Sequence, residues 1–509
     1  MNDLSTPTRA KVTNNLIWKL LERFGSQGVT FIVSVVLARL LDPAVYGTIA
    51  LVTVFTTLLN VFVDSGLGVA LVQKKESDDL DFSTVFFFNI LLSLALYGVM
   101  FLAAPLVANF YEMPELTPII RVLSLIVVVG GMRNVQQSYV SKHLLFRKFF
   151  YATLGGTILS AIIGIYMAYQ GYGVWALVGQ TLSNNFVGTL ILWCVVKWRP
   201  KWMFSWGRLK SLWKYGWKLL VSALIDTLYN DLRTLIIGKK YSENDLAYYN
   251  KGKTFPALIV TNVNNSIDSV LLPAMAKEQD DKVRIRAMTR RSISTSSFIM
   301  WPMMIGLMVC AEPVVRLLLT EKWMDSVLFL RVFCFTYAFY PIHTANLNAI
   351  KAVGRSDLFL KMEIAKKVVG ISAIAITMWF GVDWMAYSLI ITTFISQFIN
   401  SYPNKKLLGY SYGQQLKDIF PSLALAAVMG ICIYPIQFLR LHDAITLLIQ
   451  VSLGVLIYVG GAKLLRFEAF EYLLSTVKKL FKRKPKIIEQ ATPSETCQKE
   501  IQNEQTPES

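Results

Sequence analysis

The sequence predicts an all-α polytopic membrane protein with about 14 transmembrane helices. Hydrophobic residues make up 54% of the 509 residues, and charged residues only 17%. Apolar runs long enough to cross a bilayer, which takes about 20 residues each, follow one another with short connections between them. Such runs form helices, because a helix satisfies its own backbone polar groups where no water is available. The runs lie at roughly 14–38, 44–66, 82–107, 118–140, 150–169, 174–196, 217–238, 254–275, 292–311, 326–350, 362–380, 384–404, 418–438 and 444–465.

Lysine and arginine are concentrated in every second connection. Alternate connections, from the N-terminus to 463–486, carry 34 basic residues, and the intervening connections from 108–117 to 439–443 carry 7. Cytoplasmic loops are the ones enriched in lysine and arginine. The pattern therefore predicts a multi-pass protein of the cell (cytoplasmic) membrane with both termini in the cytoplasm.

The formal net charge of +18 is explained by the same topology. Its densest stretch, 197–218, interleaves seven basic residues with five tryptophans, a mixture that can bind single-stranded nucleic acid. Between two apolar helices, however, tryptophan at headgroup depth and lysine on anionic lipid explain the stretch better. Membrane lipids, and not nucleic acid, are the predicted partners. The polar residues 487–509 at the end of the chain are predicted to be disordered.

Internal similarity predicts two halves. The tetrapeptide Trp-Lys-Leu-Leu stands at 18–21, where the first apolar helix opens, and again at 217–220, where the seventh opens. In each half a short outer turn and a tyrosine at the head of the next helix follow. Both copies start on the cytoplasmic side, which indicates a parallel repeat of six helices, a known transporter plan. The predicted divisions are an N-terminal lobe with helices 1–6 (1–205), a C-terminal lobe with helices 7–12 (206–410), two additional helices (411–466) and a basic, then disordered cytoplasmic tail (467–509).

Polar side chains inside a spanning helix are unfavourable unless they face water or protein. They fall mainly on helices 1, 2 and 4 of the first half and on helices 7, 8 and 10 of the second. Because corresponding helices are polar, we expect the halves to face each other across a hydrophilic cavity. The cavity candidates for substrate binding are Arg23, Asn60, Arg133, Gln137, Arg233, Asn264, His343 and Asn346. The candidates for ion coupling are Asp64, Asp226 and Asp268.

Several of these residues have a purely structural alternative. Arg23 and Asp64 lie within reach of helix ends, from which charged side chains can extend to lipid headgroups. Asp226 and Arg233 share one face of helix 7, where the two side chains could form a static pair. His343 stands in a polar stretch, where a hydrogen-bonded packing role competes with a proton relay.

Motifs of enzymes are missing from the sequence. Residues 252–254 (GKT) resemble the end of a phosphate-binding loop, but Ala247 stands where that motif requires glycine. The acidic residues 79–81 (DLD) sit in a short charged linker with no domain around them. The five cysteines offer neither a disulfide framework nor the spacing of metal ligands. We therefore predict a non-enzymatic function without a bound metal or cofactor.

One block of the chain resembles a known family. Residues 41–47 (LDPAVYG), 62–67 (FVDSGL) and 70–73 (ALVQ) closely resemble the start of polysaccharide-transporter flippases of the multidrug/oligosaccharidyl-lipid/polysaccharide exporter superfamily. Weaker similarities follow at 110–116, 248–251 (YYNK) and 352–357 (AVGRSD), so that the resemblance spans about residues 10–465.

The resemblance implies two six-helix lobes around a V-shaped cavity, with two extra helices. It also implies a flippase that moves polyprenyl-diphosphate-linked oligosaccharide units across the membrane for cell-surface polysaccharide synthesis. Arginine matches phosphate oxygens as a fork, so the polar cavity suits such a substrate. A polymerase and chain-length proteins are the expected protein partners, and coupling to Na⁺ or H⁺ is one source of energy. A multidrug/cation antiporter of the same superfamily and a lipid-linked peptidoglycan-precursor flippase are the alternatives, since both share the fold.

The alternation of basic connections makes a direct prediction about topology. A cysteine placed in 405–417 should react with a membrane-impermeant maleimide only after the cells are permeabilised, and a cysteine in 108–117 should react in intact cells. A reporter fused after residue 466 is the control and should report the cytoplasm. Labelling of 405–417 from outside would contradict the fourteen-helix topology.

Overall fold

The structure, a computed structural model, describes residues 9–64 and 66–482, with side chains from residue 25 onward except at 65, 215, 477 and beyond 478. Every regular element in these residues is helical. The α-helices are α1 (Arg9–Leu40), α2 (Pro43–Asp64), α3 (Leu67–Gln73), α4 (Asp79–Tyr111), α5 (Leu116–Leu123), α6 (Leu125–Lys142), α7 (Phe146–Tyr169), α8 (Val174–Val195), α9 (Trp206–Lys240), α10 (Glu243–Ala276), α11 (Lys282–Val309), α12 (Ala311–Leu319), α13 (Ser326–Tyr337), α14 (Tyr340–Ala352), α15 (Ser356–Thr377), α16 (Val382–Leu408), α17 (Tyr412–Ile433), α18 (Asp443–Leu464) and α19 (Glu468–Lys482).

The predicted all-α membrane fold is confirmed. Among the described residues, nine spans are long and apolar enough to cross a bilayer by length and composition alone. Three of these spans join two α-helices, α2 with α3, α5 with α6 and α13 with α14. The other predicted spans are α1, α8, α9, α10 and α15, each of at least 22 residues. Most of these carry charged or amide side chains within their length, and these side chains lower the mean hydropathy.

The two halves repeat the same helical plan. The fourth span of the first half breaks at Ser124, between α5 and α6, and the fourth span of the second half breaks at Ala338 and Phe339, between α13 and α14. Within the first half α7 packs against α1 and α8, and α6 packs against α2 and α4. Within the second half α10 packs against α13 and α14, and α15 packs against α16. The shared break supports the parallel repeat.

The helix α9 joins the two halves. At its start, Arg208 lies 3.4 Å from a carboxylate oxygen of Asp78 and 3.5 Å from one of Asp81, both at the beginning of α4. Asp81 is fully buried and also pairs with Lys74 at 2.5 Å. Along its length α9 packs against α2, α3 and α4 of the first half and against α10 and α15 of the second. The carboxylates at the beginning of α4 thus bind the start of α9 through ion pairs.

Another acidic side chain at the beginning of α4 is bound in the same way. Asp79 pairs with Lys201 at 2.6 Å and accepts a hydrogen bond from Trp198 Nε1 at 3.1 Å. These contacts hold the pKa of Asp79 below its usual range, with the hydrogen bond from Lys201 as the main cause. Carboxylates of the protein therefore bind the basic and aromatic segment before α9, in addition to the lipid headgroups that the sequence predicts as its partners.

Candidate functional site at the seam between the halves

The two halves meet at the end of the molecule that is predicted to face outward, where α2 and α10 both begin. Gly47 of α2 lies directly against Glu243 of α10, and a Cβ added to Gly47 would stand 2.0 Å from the Glu243 carbonyl oxygen. Thr48 Oγ1 donates a hydrogen bond to Glu243 Oε2 at 3.1 Å. Only a residue without a side chain allows this approach. We call this contact, together with Lys251 and Trp323, the closed end.

Lys251 lies inside the closed end and is only 6% exposed. Its Nζ donates a hydrogen bond to Ser34 Oγ at 3.0 Å and lies 4.8 Å from the ring centre of Tyr46 and 5.4 Å from that of Trp323. Trp323 Nε1 in turn donates to the Ala38 carbonyl at 2.9 Å. Cation–π contacts contribute about 0.5–2 kcal/mol, more when desolvated. The ammonium group therefore ties α10 to α1 and α2 across the seam.

Connecting segments add polar contacts around the closed end. Arg39 Nε donates to the Leu318 carbonyl at 2.9 Å, and Lys322 Nζ donates to the Arg39 carbonyl at 3.1 Å. Lys239 pairs with the exposed Glu112 at 2.7 Å, and this hydrogen bond lowers the pKa of Glu112. Exposed ion pairs contribute little to stability. The close approach at Gly47 and the buried Lys251 are the main contacts of the closed end.

Away from the closed end the seam is exposed. Among the described residues, the hydrogen bond between α1 and α10 that lies farthest from the closed end joins Asn262 Nδ2 to Gln27 Oε1 at 3.1 Å. Beyond it, α10 carries the exposed polar side chains of Asn265, Asp268 and Ser269, whereas Ser266 and Val270 line a groove between α10 and α11. The seam is therefore closed at the predicted outer end and accessible from the predicted cytoplasmic end.

Four of the predicted residues come together where α2 packs against α6, in a group we call the α2–α6 cluster. Asn134 Nδ2 donates to Asp64 Oδ1 at 2.5 Å. Gln137, with its amide oxygen turned toward Arg133, accepts from Nε at 2.8 Å and from Nη2 at 3.1 Å. Asn60 lies one turn before Asp64 and faces α6. Arg133 is half-buried and Asp64 is exposed, so the cluster can be reached from the predicted cytoplasmic side.

The expected partnership of Asp226 and Arg233 is wrong. Asp226 pairs with Lys367 of α15, which lies 141 residues away in the sequence. Arg233 is 9% exposed, and its Nη2 donates to Ser388 Oγ of α16 at 3.3 Å. The two side chains share one face of α9 but meet different helices at the two levels, α15 at Asp226 and α16 at Arg233. Arg233 therefore faces the interior of the second half instead of the space between the halves.

Asn346 also lies in packed protein, so its placement in a cavity is wrong. It is fully buried and exchanges hydrogen bonds with Gln415 of α17 at 2.9 and 3.0 Å, and it accepts from Asn404 Nδ2 at 2.6 Å. His343 is half-buried, and its Nδ1 lies 2.9 Å from Asn400 Nδ2. Buried amides are stable only when they are hydrogen-bonded. This network fastens the additional helix α17 to α14 and α16.

Of the remaining predicted residues, Asp268 and Asn264 lie on α10, and the side chain of Arg23 lies outside the described residues. Asp268 is exposed and accepts a hydrogen bond from Asn348 Nδ2 at 2.7 Å. Asn264 is half-buried on the same stretch of α10. Arg23 falls within α1, but its side chain lies outside the described residues. Sequence reasoning missed Lys251, Lys367 and Trp323 as site residues. The signal for the first was available, since 248–251 belongs to the blocks that carry the resemblance.

Comparison with known proteins identifies relatives along most of the chain. A family described as "Polysaccharide biosynthesis protein" matches residues 36–328. The chain is 26% identical over 444 residues to a lipopolysaccharide biosynthesis protein of Escherichia coli (strain K12), covering 83% of this chain and 88% of that protein. It is 24% identical over 372 residues to a succinoglycan biosynthesis transport protein of Rhizobium meliloti (strain 1021), covering 73% of this chain and 75% of that protein.

Solved structures share the fold. A lipid II flippase in an inward closed conformation superposes with a TM-score of 0.73 at 16% identity, covering 89% of this chain and 99% of that one. An inward-facing multidrug resistance transporter of the MATE family superposes with a TM-score of 0.60 at 13% identity, covering 78% of this chain and 98% of that one. The whole helical arrangement, and not one half, is therefore shared.

The contact at Gly47 yields a prediction about the closed end. Gly47→Ala must separate α2 from α10 by roughly 1 Å or more, because carbon and oxygen atoms cannot approach much closer than their contact distance of about 3.5 Å. We expect a larger distance between spin labels on the two sides of the closed end, measured by pulsed electron paramagnetic resonance, and greater accessibility of a cysteine placed there. Gly28→Ala in α1 is the control, since a Cβ there meets nothing within 4 Å. Unchanged distances in Gly47→Ala would mean that the closed end does not depend on this approach.

Proposed function

Because this chain belongs to the polysaccharide biosynthesis protein family, we propose that it is a flippase for lipid-linked oligosaccharides. It moves polyprenyl-diphosphate-linked oligosaccharide units across the cytoplasmic membrane for the synthesis of cell-surface polysaccharide. Its relatives in polysaccharide biosynthesis, one of them described as a transport protein, support this substrate class. The function is transport and not an enzymatic reaction.

The observation that carries the proposal is the asymmetry of the seam. It is sealed at the closed end by Gly47 and Lys251 and lined with polar side chains toward the opposite end. A substrate with a charged, hydrophilic head must avoid hydrocarbon, and a seam between two halves gives it a polar route while its chain stays in lipid. With both termini in the cytoplasm, the exposed end of the seam faces the side on which lipid-linked sugars are assembled.

Within this seam the α2–α6 cluster is the proposed site for the diphosphate. Arg133 presents a planar guanidinium group, two of whose five N–H donors are bound by the amide oxygen of Gln137. A diphosphate oxygen can replace the neutral amide oxygen of Gln137, because a charge-assisted hydrogen bond is stronger than a neutral one. Asp64 balances the charge of Arg133 in the absence of substrate. The exposed amides and hydroxyls of α10 then suit the sugar hydroxyls.

Coupling to Na⁺ or H⁺ is part of the proposal. Asp226 and Lys367 form a pair between α9 and α15. A carboxylate in this position can exchange the lysine for a cation or a proton as the halves move. A polymerase and chain-length proteins are the expected partners on the outer side.

Removal of Arg133 tests the site. In proteoliposomes that contain a fluorescent polyprenyl-diphosphate oligosaccharide, Arg133→Ala should slow flipping about tenfold or more, since a hydrogen bond to a charged group contributes about 1.5–3 kcal/mol. Arg133→Lys should retain part of the rate, because it keeps the charge but loses the fork. The measurement is the fraction of probe that becomes accessible to an impermeant quencher.

The control is Arg121→Ala, which changes an arginine of the same broken span that lies over the ring of Phe101, 4.2 Å from its centre. Normal flipping by Arg133→Ala would exclude the α2–α6 cluster as the diphosphate site. Efflux of a cationic dye without any flipping by the unaltered protein would favour a multidrug antiporter. Flipping of only a peptidoglycan precursor would favour the other alternative.

The Asp226–Lys367 pair gives a prediction about energy coupling. Asp226→Asn should abolish the dependence of flipping on an imposed pH or Na⁺ gradient, measured in the same proteoliposomes. The double variant Asp226→Asn with Lys367→Met removes both charges, so it separates two roles. If Asp226 only neutralises Lys367, the double variant recovers a gradient-dependent rate. If Asp226 binds the coupling ion, the double variant stays independent of the gradient, and a gradient-independent unaltered protein would exclude coupling altogether.

A further inference from the structure

A groove of about 630 Å³ runs between α10 and α11, in the second half of the molecule. Its walls are mainly apolar and include Val263, Ile267, Val270, Leu271, Ala274 and Ile299. Pockets of about 300–1,000 Å³ with apolar walls and a few polar groups are typical of ligand sites. Asn262 lines one end of the groove and also bonds Gln27 across the seam. The groove therefore ends beside the lobe-to-lobe contact.

At its predicted cytoplasmic end the groove continues into a polar cleft of about 410 Å³ between α11, α17 and α19. Arg291, Met288, Thr295 and Tyr472 line both spaces, which makes them one continuous site. The groove is apolar and the cleft is half polar. The combined space is amphiphilic along its length, like a lipid with a polar head. We call the combined space the α10–α11 groove and head cleft.

In the head cleft one arginine, Arg290, is paired with a carboxylate, and a second, Arg291, can bind an anionic ligand. Arg290 forms three hydrogen bonds of 2.8–3.0 Å with Asp418, whose Oδ2 also accepts from Tyr410 at 2.7 Å. These donors occupy the carboxylate. Arg291 instead stacks on the ring of Tyr472, 4.1 Å from its centre, and forms no ion pair within the described part of the chain. Its donors point along the plane of the guanidinium and can meet an anion edge-on.

The surrounding cations outnumber the acids. A smaller pocket of about 190 Å³ adjoins the head cleft at Arg290 and Asp418 and adds two basic residues, Arg286 and Lys417, to its lining. The two spaces together present four basic side chains against the carboxylates of Asp418 and Glu468. The cleft is thus net positive, and its one stacked arginine is suited to a phosphate oxygen because the guanidinium fork matches it.

We propose that the α10–α11 groove and head cleft form a loading site that binds the polyprenyl diphosphate part of the substrate before the glycan enters the seam. The chain lies in the groove, and the diphosphate lies against Arg291. This inference rests on the proposed function, since it takes its substrate class from there. The site is separate from the α2–α6 cluster, which belongs to the first half.

Two features of the groove favour a polyprenyl diphosphate over an ordinary phospholipid. The groove runs between two helices and offers one track, which suits a single chain better than the two chains of a phospholipid. Its cleft gathers more than one cation, which suits a diphosphate better than a phosphodiester. The far end of the groove reaches Asn262 at the seam, so the bound chain extends toward the lobe-to-lobe contact while the glycan stays beyond the head cleft, on the predicted cytoplasmic side.

Binding of farnesyl diphosphate, a soluble single-chain diphosphate, tests the site. Microscale thermophoresis with the purified full chain in detergent gives the dissociation constant. Arg291→Gln should weaken binding about tenfold or more, because it removes a charged donor. Ile267→Trp should weaken binding by filling the groove without changing charge. Arg284→Gln is the matched control, since Arg284 lies on the same helix but forms an ion pair with Glu278 at 2.9 Å. This variant should bind farnesyl diphosphate as tightly as the unaltered protein does.

Competition separates the possible ligands. Inorganic diphosphate should compete only weakly and phosphatidylglycerol poorly, because each lacks one half of the recognised structure. Equal competition by phosphatidylglycerol would make the groove a site for bulk lipid and overturn the proposal. Unchanged binding in both variants, or no binding by the unaltered protein, would also overturn it. Correct folding of each variant is checked by its melting temperature.

The flipping assay distinguishes a failure of this site from a failure of the proposed function. If the unaltered protein flips the substrate but Arg291→Gln binds farnesyl diphosphate normally, the loading site is wrong and the flippase remains. If farnesyl diphosphate binding depends on Arg291 but no flipping occurs, the site is right and the proposed function is wrong. If both hold, Arg291→Gln should raise the substrate concentration needed for half-maximal flipping and leave the maximal rate nearly unchanged.

Discussion

The constraint on which this structure depends is the cost of a polar group in hydrocarbon. A charged or amide side chain in a spanning helix must face protein, water or the headgroups. The chain contains many such side chains, and the halves are arranged so that each finds one of these environments. Asp64 and Arg133 find partners between α2 and α6, Asn346 finds them inside the second half, and α10 exposes its amides and hydroxyls along the seam.

The same constraint explains which parts of the structure can be predicted from the sequence. Apolar periodicity and the alternation of basic connections predict the helices and their direction, because both depend only on local composition. The motif at 41–47 and the segment at 248–251 can each be recognised in the sequence. Their meeting cannot, since Lys251 reaches Tyr46 and Ser34 only when α10 packs across α2. The sequence shows that residue 47 is a glycine, but it does not show that this glycine contacts Glu243.

The errors among the site residues have one physical cause. Spacing along a helix tells which side chains share a face, but not which helix that face meets. Asp226 and Arg233 share a face of α9, yet one meets Lys367 of α15 and the other meets Ser388 of α16. Asn346 was expected to line a cavity, and it faces α17 instead. Burial against α17 and exposure to a cavity are both ways to avoid lipid, and only the packing of the extra helix decides between them.

The position of α9 limits how the seam can open. At its start, Arg208 forms an ion pair with the buried Asp81 of the first half. Near its other end, the Leu235 carbonyl accepts a hydrogen bond from Tyr111 of the first half at 3.4 Å. The closed end is held by α10, through Glu243 and Lys251. Asp81 is fully buried and holds both Lys74 and Arg208, whereas the hydrogen bonds and cation–π contacts of the closed end are individually weak. Opening toward the outer side must therefore break the contacts of α10 at the closed end, while the contacts that hold α9 to the first half can persist.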